Sequence, residues 1–158
     1  MLEACHDRIE DRLDVLKRLT EHLPAHGCDE QARQAASNVM RYFDTAGEHH
    51  HQDEELDLFP ALARAGADDV LLRVMDELRS DHRRMRDAWK ALRQALEPIA
   101  SGASAKLDPE CVRKFAELYR RHIAREEAEL LPRAASMLSA DVLEALGAEM
   151  ARRRGVAR

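Results

Sequence analysis

Apolar residues recur along this chain at steps of three and four, which is the period of an amphipathic α-helix. The first such stretch covers residues 2 to 23 and carries Leu2, Ile9, Leu13, Leu16, Leu19 and Leu23. Pro24 and Gly27 follow it and predict where this helix ends. No stretch of the chain shows the alternation of β-branched residues that is typical of a strand.

The same periodicity predicts four further helices, over about 29–60, 68–100, 108 to 132 or slightly beyond, and 139–153. Asp29, Asp68 and Asp108 stand at the starts of three of them and are candidate N-caps. Gly47 is a candidate bend in the second helix. The fifth helix is short, and the arginines that end it, residues 152–154, are expected to be solvated.

Four long helices with short connections fold most simply as an up-down-up-down bundle. We therefore predict an all-α fold, a four-helix bundle over about 2–136 followed by a short C-terminal helix over about 139–153. The length of 158 residues suits one domain, spanning 1–158. Charged residues make up 35% and aromatic residues 4% of the chain, a composition that favours helix.

The net charge and the cysteine content indicate which partners and which cellular compartment to expect. The net charge of −5 gives no reason to expect nucleic acid or an anionic membrane as a partner. Cys5, Cys28 and Cys111 are odd in number and lack CxxC spacing, so we expect reduced thiols in a cytoplasmic protein. No signal peptide is apparent, and no apolar run is long enough to span a bilayer.

One motif occurs twice, about seventy residues apart. The first copy is His50-His51-Gln52-Asp53-Glu54-Glu55 with Leu58-Phe59-Pro60, and the second is His122-Ile123-Ala124-Arg125-Glu126-Glu127 with Leu130-Leu131-Pro132. In both copies a His precedes the first Glu of a Glu-Glu pair by four residues. Residues four apart share one face of a helix, so each copy projects an imidazole and a carboxylate in the same direction.

Counting along antiparallel helices tests whether such side chains can meet, because each residue rises about 1.5 Å. The count places one His from each long helix in a single layer, namely His6, His50, His82 and His122. Glu54 and Glu126 lie within one turn of it. A helical His taken alone is usually a surface or core residue, but a repeated spacing and buried carboxylates favour a metal site. Imidazole with carboxylate suits iron, manganese or zinc.

With these motifs, together with Cys5-His6-Asp7-Arg8-Ile9-Glu10 and Asp81-His82, the chain resembles the hemerythrin-like (HHE cation-binding) family. That resemblance implies a four-helix bundle holding a non-haem, carboxylate-bridged pair of iron ions. It implies Glu54 and Glu126 as the bridging carboxylates. It also implies that His6 and His50 hold one iron, and that His82 and His122 hold the other.

The chain departs from the oxygen-carrying members of the family in one ligand. Those proteins place a second His four residues from the first on the third helix, whereas Leu78 and Arg86 flank His82 here. The candidates for that coordination position are water, Glu55, Glu127 and Tyr119. His51 also keeps a four-residue step to Glu55. We prefer His50 as the ligand because the Leu-Phe-Pro and Leu-Leu-Pro segments align only in that register.

Two rival readings of the same residues stay open. A ferritin-like di-metal bundle would use Glu3 with His6 and Glu48 with His51, at Glu-x-x-His spacing. A metal-free helical interaction module is the other. The favoured function is a di-iron protein that binds or senses O2, NO or peroxide, or handles iron, with a small diatomic molecule or peroxide as its partner. An enzyme with catalase- or peroxidase-like activity at the same site is the alternative.

Overall fold

A computed structural model describes residues 2–156, and every regular element in that range is helical, which confirms the all-α prediction. Five helices follow one another, numbered here α1 (Leu2–His26), α2 (30–64), α3 (Asp69–Ala100), α4 (109–137) and α5 (Ala140–Arg153). Two of them contain wider π-helical turns. In α2 these turns are Phe43–Gly47 and Asp53–Leu58, and in α4 the turn is Glu126–Leu130.

The predicted N-caps are confirmed by their hydrogen bonds. The carboxylates of Asp29, Asp68 and Asp108 each accept a backbone N–H from the first turn of the helix that follows, at 2.9, 2.9 and 3.0 Å. A cap of this kind satisfies one of the four N–H groups that a helix start leaves without a partner. Three short polar side chains therefore fix where α2, α3 and α4 begin.

The four long helices form the predicted bundle. Each contacts the helices before and after it in the chain, and α1 also packs against α4 to close the ring. Short connections reverse the chain direction at each turn. The apolar core is divided in two: one cluster runs from Ile9 to Ile123 through α1 to α4, and another joins Leu58, Leu78 and Leu130 near the opposite end. A layer of buried polar residues lies between these clusters.

Two prolines do not end helices where the sequence predicted: α2 continues past Pro60 to Arg64, and α1 runs through Pro24 to His26. α4 ends at Met137, slightly beyond Pro132, as predicted. A proline inside a helix removes a hydrogen bond, and its ring crowds the carbonyl four residues earlier. In both motifs a π-helical turn comes just before the proline, and its wider spacing accommodates the ring.

Gly47 lies within a continuous helix rather than at a break. It belongs to the π-helical turn Phe43–Gly47, and a Cβ atom at this position would stand 3.1 Å from Cδ1 of Phe43. The missing side chain therefore lets the Phe43 ring pack against the backbone, where it contacts Trp89, Phe115 and Tyr119.

None of the helices described is both long and apolar enough to cross a membrane. Cys5, Cys28 and Cys111 are free thiols.

Candidate metal centre

Six predicted side chains meet in the polar layer between the two apolar clusters. All are buried, and they are His6 from α1, His50 and Glu54 from α2, His82 from α3, and His122 and Glu126 from α4. The helical period explains the convergence. Within each motif the four-residue step stacks His and Glu on one face, and the antiparallel packing brings the two faces together.

The two carboxylates divide the layer into two groups of ligand atoms. Glu126 places Oε2 at 2.8 Å from Nε2 of His6, and Oε1 at 2.5 Å from Nε2 of His122. Glu54 does the same for the remaining pair, with Oε1 at 3.3 Å from His50 and Oε2 at 3.0 Å from His82.

The first group is therefore His6 and His50 with one oxygen from each carboxylate, and the second is His82 and His122 with the other two oxygens. Within each group the ligand atoms lie within 4.8 Å of one another. Each carboxylate thus spans both groups.

Many polar atoms of this layer have no hydrogen-bond partner among residues 2–156. Both oxygens of Glu54, Oε1 of Glu126, both ring nitrogens of His50 and Nδ1 of His122 are buried and unsatisfied. The carboxylate oxygens and Nε2 of His50 lie close together without hydrogen-bond geometry and so face a shared space, whereas Nδ1 of His122 lies 3.5 Å from Asp81. Buried polar atoms are rarely left without partners, because each costs about 1–3 kcal/mol. A cation in the shared space would satisfy the atoms that face it, and imidazole with carboxylate is a donor set that transition metals accept.

The second Glu of each motif orients a His from another helix. Nδ1 of His6 donates to Oε1 of Glu127 at 2.9 Å, and Nδ1 of His82 donates to Oε1 of Glu55 at 2.6 Å. Each bond fixes the ring so that Nε2 points into the layer. Carboxylates commonly hold metal-binding imidazoles in this way. In each Glu-Glu pair, the first Glu therefore contributes ligand atoms and the second Glu orients a His from another helix.

These contacts bear on the place left by the absent second His of α3. Glu55 and Glu127 are directed away from the layer by their bonds to His82 and His6. Arg86, one of the two residues four positions from His82, donates to both oxygens of Glu48 and lies 3.4 Å from Glu55. Tyr119 packs in the aromatic cluster with Phe43 and Phe115.

The ferritin-like alternative is not assembled. Glu3 is exposed at the start of α1, and Glu48 forms its ion pair with Arg86. His50 rather than His51 joins the first group of ligand atoms. His51 is nevertheless buried beside the second group, with its ring stacked on that of His82 at 4.2 Å.

Burial and proximity set the charges of the layer. Burial, together with the neighbouring Glu126 carboxylate, raises the pKa of Glu54 well above its ordinary value. Burial opposes ionisation of Glu126 as well, but the adjacent His122 imidazole and the hydrogen bond from His6 hold its pKa well below the ordinary range. Two neighbouring buried carboxylates resist ionising together, because each negative charge disfavours the other. A divalent cation would remove that conflict.

The pKa values of the histidines are also shifted in opposite directions. Burial lowers the pKa of His50 to about 4, and burial with nearby His122 lowers that of His82 to about 2. Burial also disfavours the charged form of His6, but hydrogen bonds and charge from Glu126 and Glu127 raise its pKa overall. His50 and His82 are therefore neutral near pH 7, which is the form that binds a metal ion.

The arginine tail was predicted to be solvated, and for two of its three residues that prediction is wrong. Arg153 and Arg154 each donate to Asp53, which is 0% exposed, at 2.5 Å, and Arg153 also donates to Asp57 at 2.7 Å. A buried carboxylate needs such cationic partners. Since Asp53 lies in the first motif, α5 is anchored directly beside Glu54. The sequence offers no periodic signal for a contact between residues 100 positions apart.

Comparison with known proteins agrees with this architecture. A family model described as the hemerythrin HHE cation binding domain matches residues 1–134, which covers the whole polar layer. An uncharacterized protein of Haemophilus influenzae is 34% identical over 156 residues, covering 99% of this chain and 89% of that protein. Both matches extend over far more than the two motifs. The chain therefore belongs to the hemerythrin HHE cation-binding domain family.

Proposed function

We propose that this protein holds two metal ions, with iron as the expected metal, and uses them to bind or sense a small molecule such as O2, NO or peroxide. The observation that supports this most directly is the pair of ligand groups that share Glu54 and Glu126. His6 and His50 would hold one ion, and His82 and His122 the other. A carboxylate with one oxygen in each group is the arrangement that suits two ions close together.

The identity of the metal rests on chemistry and on the family together. Imidazole with carboxylate accepts iron, manganese or zinc, and the resemblance to hemerythrins favours iron. Such a metal pair would supply a site for an electron-rich or redox-active small ligand. The protein side chains would keep both ions in place and exclude bulk water, since all six lie within the bundle core.

The absence of a second His four residues from His82, where Leu78 and Arg86 stand, bears on what the site does. With two His and two shared carboxylates, each group supplies four protein ligand atoms. Six-coordinate iron would therefore have positions that the protein does not fill. Open positions favour ligand sensing or iron handling over the stable reversible oxygen carriage of the better-supplied relatives.

Metal analysis of freshly purified protein tests the proposal. We expect about two irons per chain, and near-ultraviolet absorption bands that are lost when the protein is reduced. Zinc alone in less than stoichiometric amount, or no metal after expression in iron-supplemented medium, would contradict it and favour a structural bundle.

An enzyme at the same site is the second candidate, because the unfilled positions and the buried His51 imidazole beside them suit proton-coupled chemistry on peroxide. Turnover distinguishes the two functions. Consumption of many equivalents of peroxide per protein would favour a catalase- or peroxidase-like enzyme. A single stoichiometric spectral change would favour a sensor.

Metal binding should release protons and weaken in acid. Because burial and the Glu126 carboxylate raise the pKa of Glu54 well above its ordinary value, protons compete with a metal ion for this carboxyl, and metal binding should displace them. A pH indicator in weakly buffered solution should record that release when ferrous ion is added to metal-free protein, with sodium chloride as the control. Dialysis at decreasing pH should then remove the metal. Unchanged metal content down to about pH 4, near the reference carboxylate pKa, would contradict this expectation.

A further inference from the structure

His51 is a buried imidazole without a hydrogen-bond partner in the part of the chain that the structure describes. The residue is 2% exposed, and neither ring nitrogen makes a hydrogen bond to residues 2–156. The nearest carboxylate oxygen, on Glu48, lies 4.0 Å from Nδ1, and Glu48 is already held by two hydrogen bonds from Arg86. A buried imidazole without partners is costly, so its presence needs a reason.

The ring of His51 lies closest to His82 of the second ligand group, on which it stacks with 4.2 Å between ring centroids and 18° between planes. Its centroid is 6.1 Å from that of His50 and 6.4 Å from that of His122. His51 is not itself one of the clustered ligand atoms. It therefore borders the group formed by Glu54, His82, His122 and Glu126 without completing it.

The duplicated motif provides an internal comparison. In the register that aligns His50 with His122 and Glu54 with Glu126, His51 corresponds to Ile123. Ile123 is buried in the larger apolar cluster, so an apolar side chain satisfies the packing at this position of the motif. An imidazole in the first copy alone thus adds polar nitrogens at the second ligand group, where packing does not require them.

We propose that His51 is the hydrogen-bonding contact for a small nitrogen or oxygen ligand bound at the second ligand group. An imidazole offers one donor and one acceptor nitrogen in its neutral form, so it can pair with an anion or a diatomic molecule next to the metal position. The proposal rests on the metal binding proposed above. It assigns to His51 a positioning role toward the exogenous ligand, distinct from the six residues that would hold the ions.

Azide binding to the iron-loaded protein tests this role, with iron content measured on every sample. His51→Ile copies the residue that the second motif already buries, and His51→Gln retains hydrogen-bonding groups. The neighbouring residue of the same triplet supplies the matched control, His49→Ile. We expect about two irons in all four proteins and an azide dissociation constant raised about tenfold in His51→Ile, the effect of losing one hydrogen bond to a charged ligand. His51→Gln should recover part of the affinity, and His49→Ile should match the wild type.

Each other result overturns the proposal in a recognisable way. Unchanged azide affinity in His51→Ile with full iron content would make His51 a packing residue and leave the di-iron function intact. Loss of one iron would make His51 a metal ligand instead. Absence of iron from the wild type would remove the proposed function and this inference together. If His51→Ile does not fold, His51→Phe keeps an aromatic ring stacked on His82 without the polar nitrogens and serves the same comparison.

Discussion

A chain carrying both Glu54→Ala and Glu126→Ala should retain no metal under conditions that load the wild-type protein with two ions. Each carboxylate contributes one oxygen to each ligand group, so the double substitution leaves only two imidazoles on either side. Two neutral ligands without a negative charge are a weak site for a divalent cation. Elemental analysis after loading and desalting measures the outcome directly.

Thermal unfolding of the same proteins with and without metal separates a metal site from a structural layer. A ligand that binds only the folded state stabilises it by about 4 kcal/mol at a thousandfold excess over its dissociation constant. In a chain of this size each kcal/mol raises Tm by about 2–4 °C. Iron should therefore raise the Tm of the wild type by roughly 8–16 °C per ion. The double variant should show no rise.

The metal-free stabilities provide an independent comparison. Glu54→Ala removes a buried carboxyl that resists ionisation, which favours the fold, whereas Glu126→Ala removes the acceptor of the His6 hydrogen bond, which disfavours it. Because these effects oppose each other, the Tm values of the two metal-free proteins should differ much less than those of the metal-loaded proteins. Glu129→Ala is the matched control, because Glu129 lies in the same π-helical turn as Glu126 but is exposed. Retention of both ions by the double variant would contradict the proposed site.

The sequence was sufficient to bring the six polar side chains into one layer because helices are regular. A four-residue step fixes the shared face of His122 and Glu126, and the rise per residue fixes the level of His6 relative to His50. The N-cap aspartates predicted the helix starts for a similar local reason, since their partners lie only two or three residues away. Features with a short sequence range were therefore predictable.

Contacts that depend on side-chain direction across helices were not predictable. The sequence makes Glu55 and Glu127 candidate substitute ligands, whereas the structure pairs them with His82 and His6. Spacing along α2 places Glu55 on a neighbouring face but does not say which helix that face meets. The continuation of α2 past Pro60 was also missed, because the π-helical turn that accommodates the proline has no pattern in the sequence.

The docking of α5 was outside the reach of periodicity altogether. The helix was predicted, but its position against α2 depends on Arg153 and Arg154 reaching Asp53. An arginine run at a helix end is typical of a solvated surface, and in this chain Arg152 fits that description with 78% of its side chain exposed. Asp53 stands in an acidic motif, which is likewise typical of a solvated helix face.

Arg153→Ala combined with Arg154→Ala should destabilise the fold strongly. Asp53 is fully buried and receives one hydrogen bond from each guanidinium, so the double substitution leaves a carboxylate in the core without a cation. Removing one side of a buried ion pair costs about 3–5 kcal/mol. That loss should lower the Tm of the metal-free protein by about 6 to 20 °C, measured by calorimetry.

Two further variants distinguish this cause from a general loss of positive charge. Asp53→Asn in the double-alanine background removes the orphaned charge and should restore much of the lost stability, because a buried amide costs less than a buried carboxylate. Arg152→Ala removes a neighbouring exposed arginine and should change the free energy of unfolding by no more than about 0.5 kcal/mol. If the double variant unfolded at the same temperature as Arg152→Ala, the contact with Asp53 would contribute nothing to stability. Because Asp53 directly precedes Glu54, that result would also mean that the position of the first motif does not depend on its contact with Arg153 and Arg154.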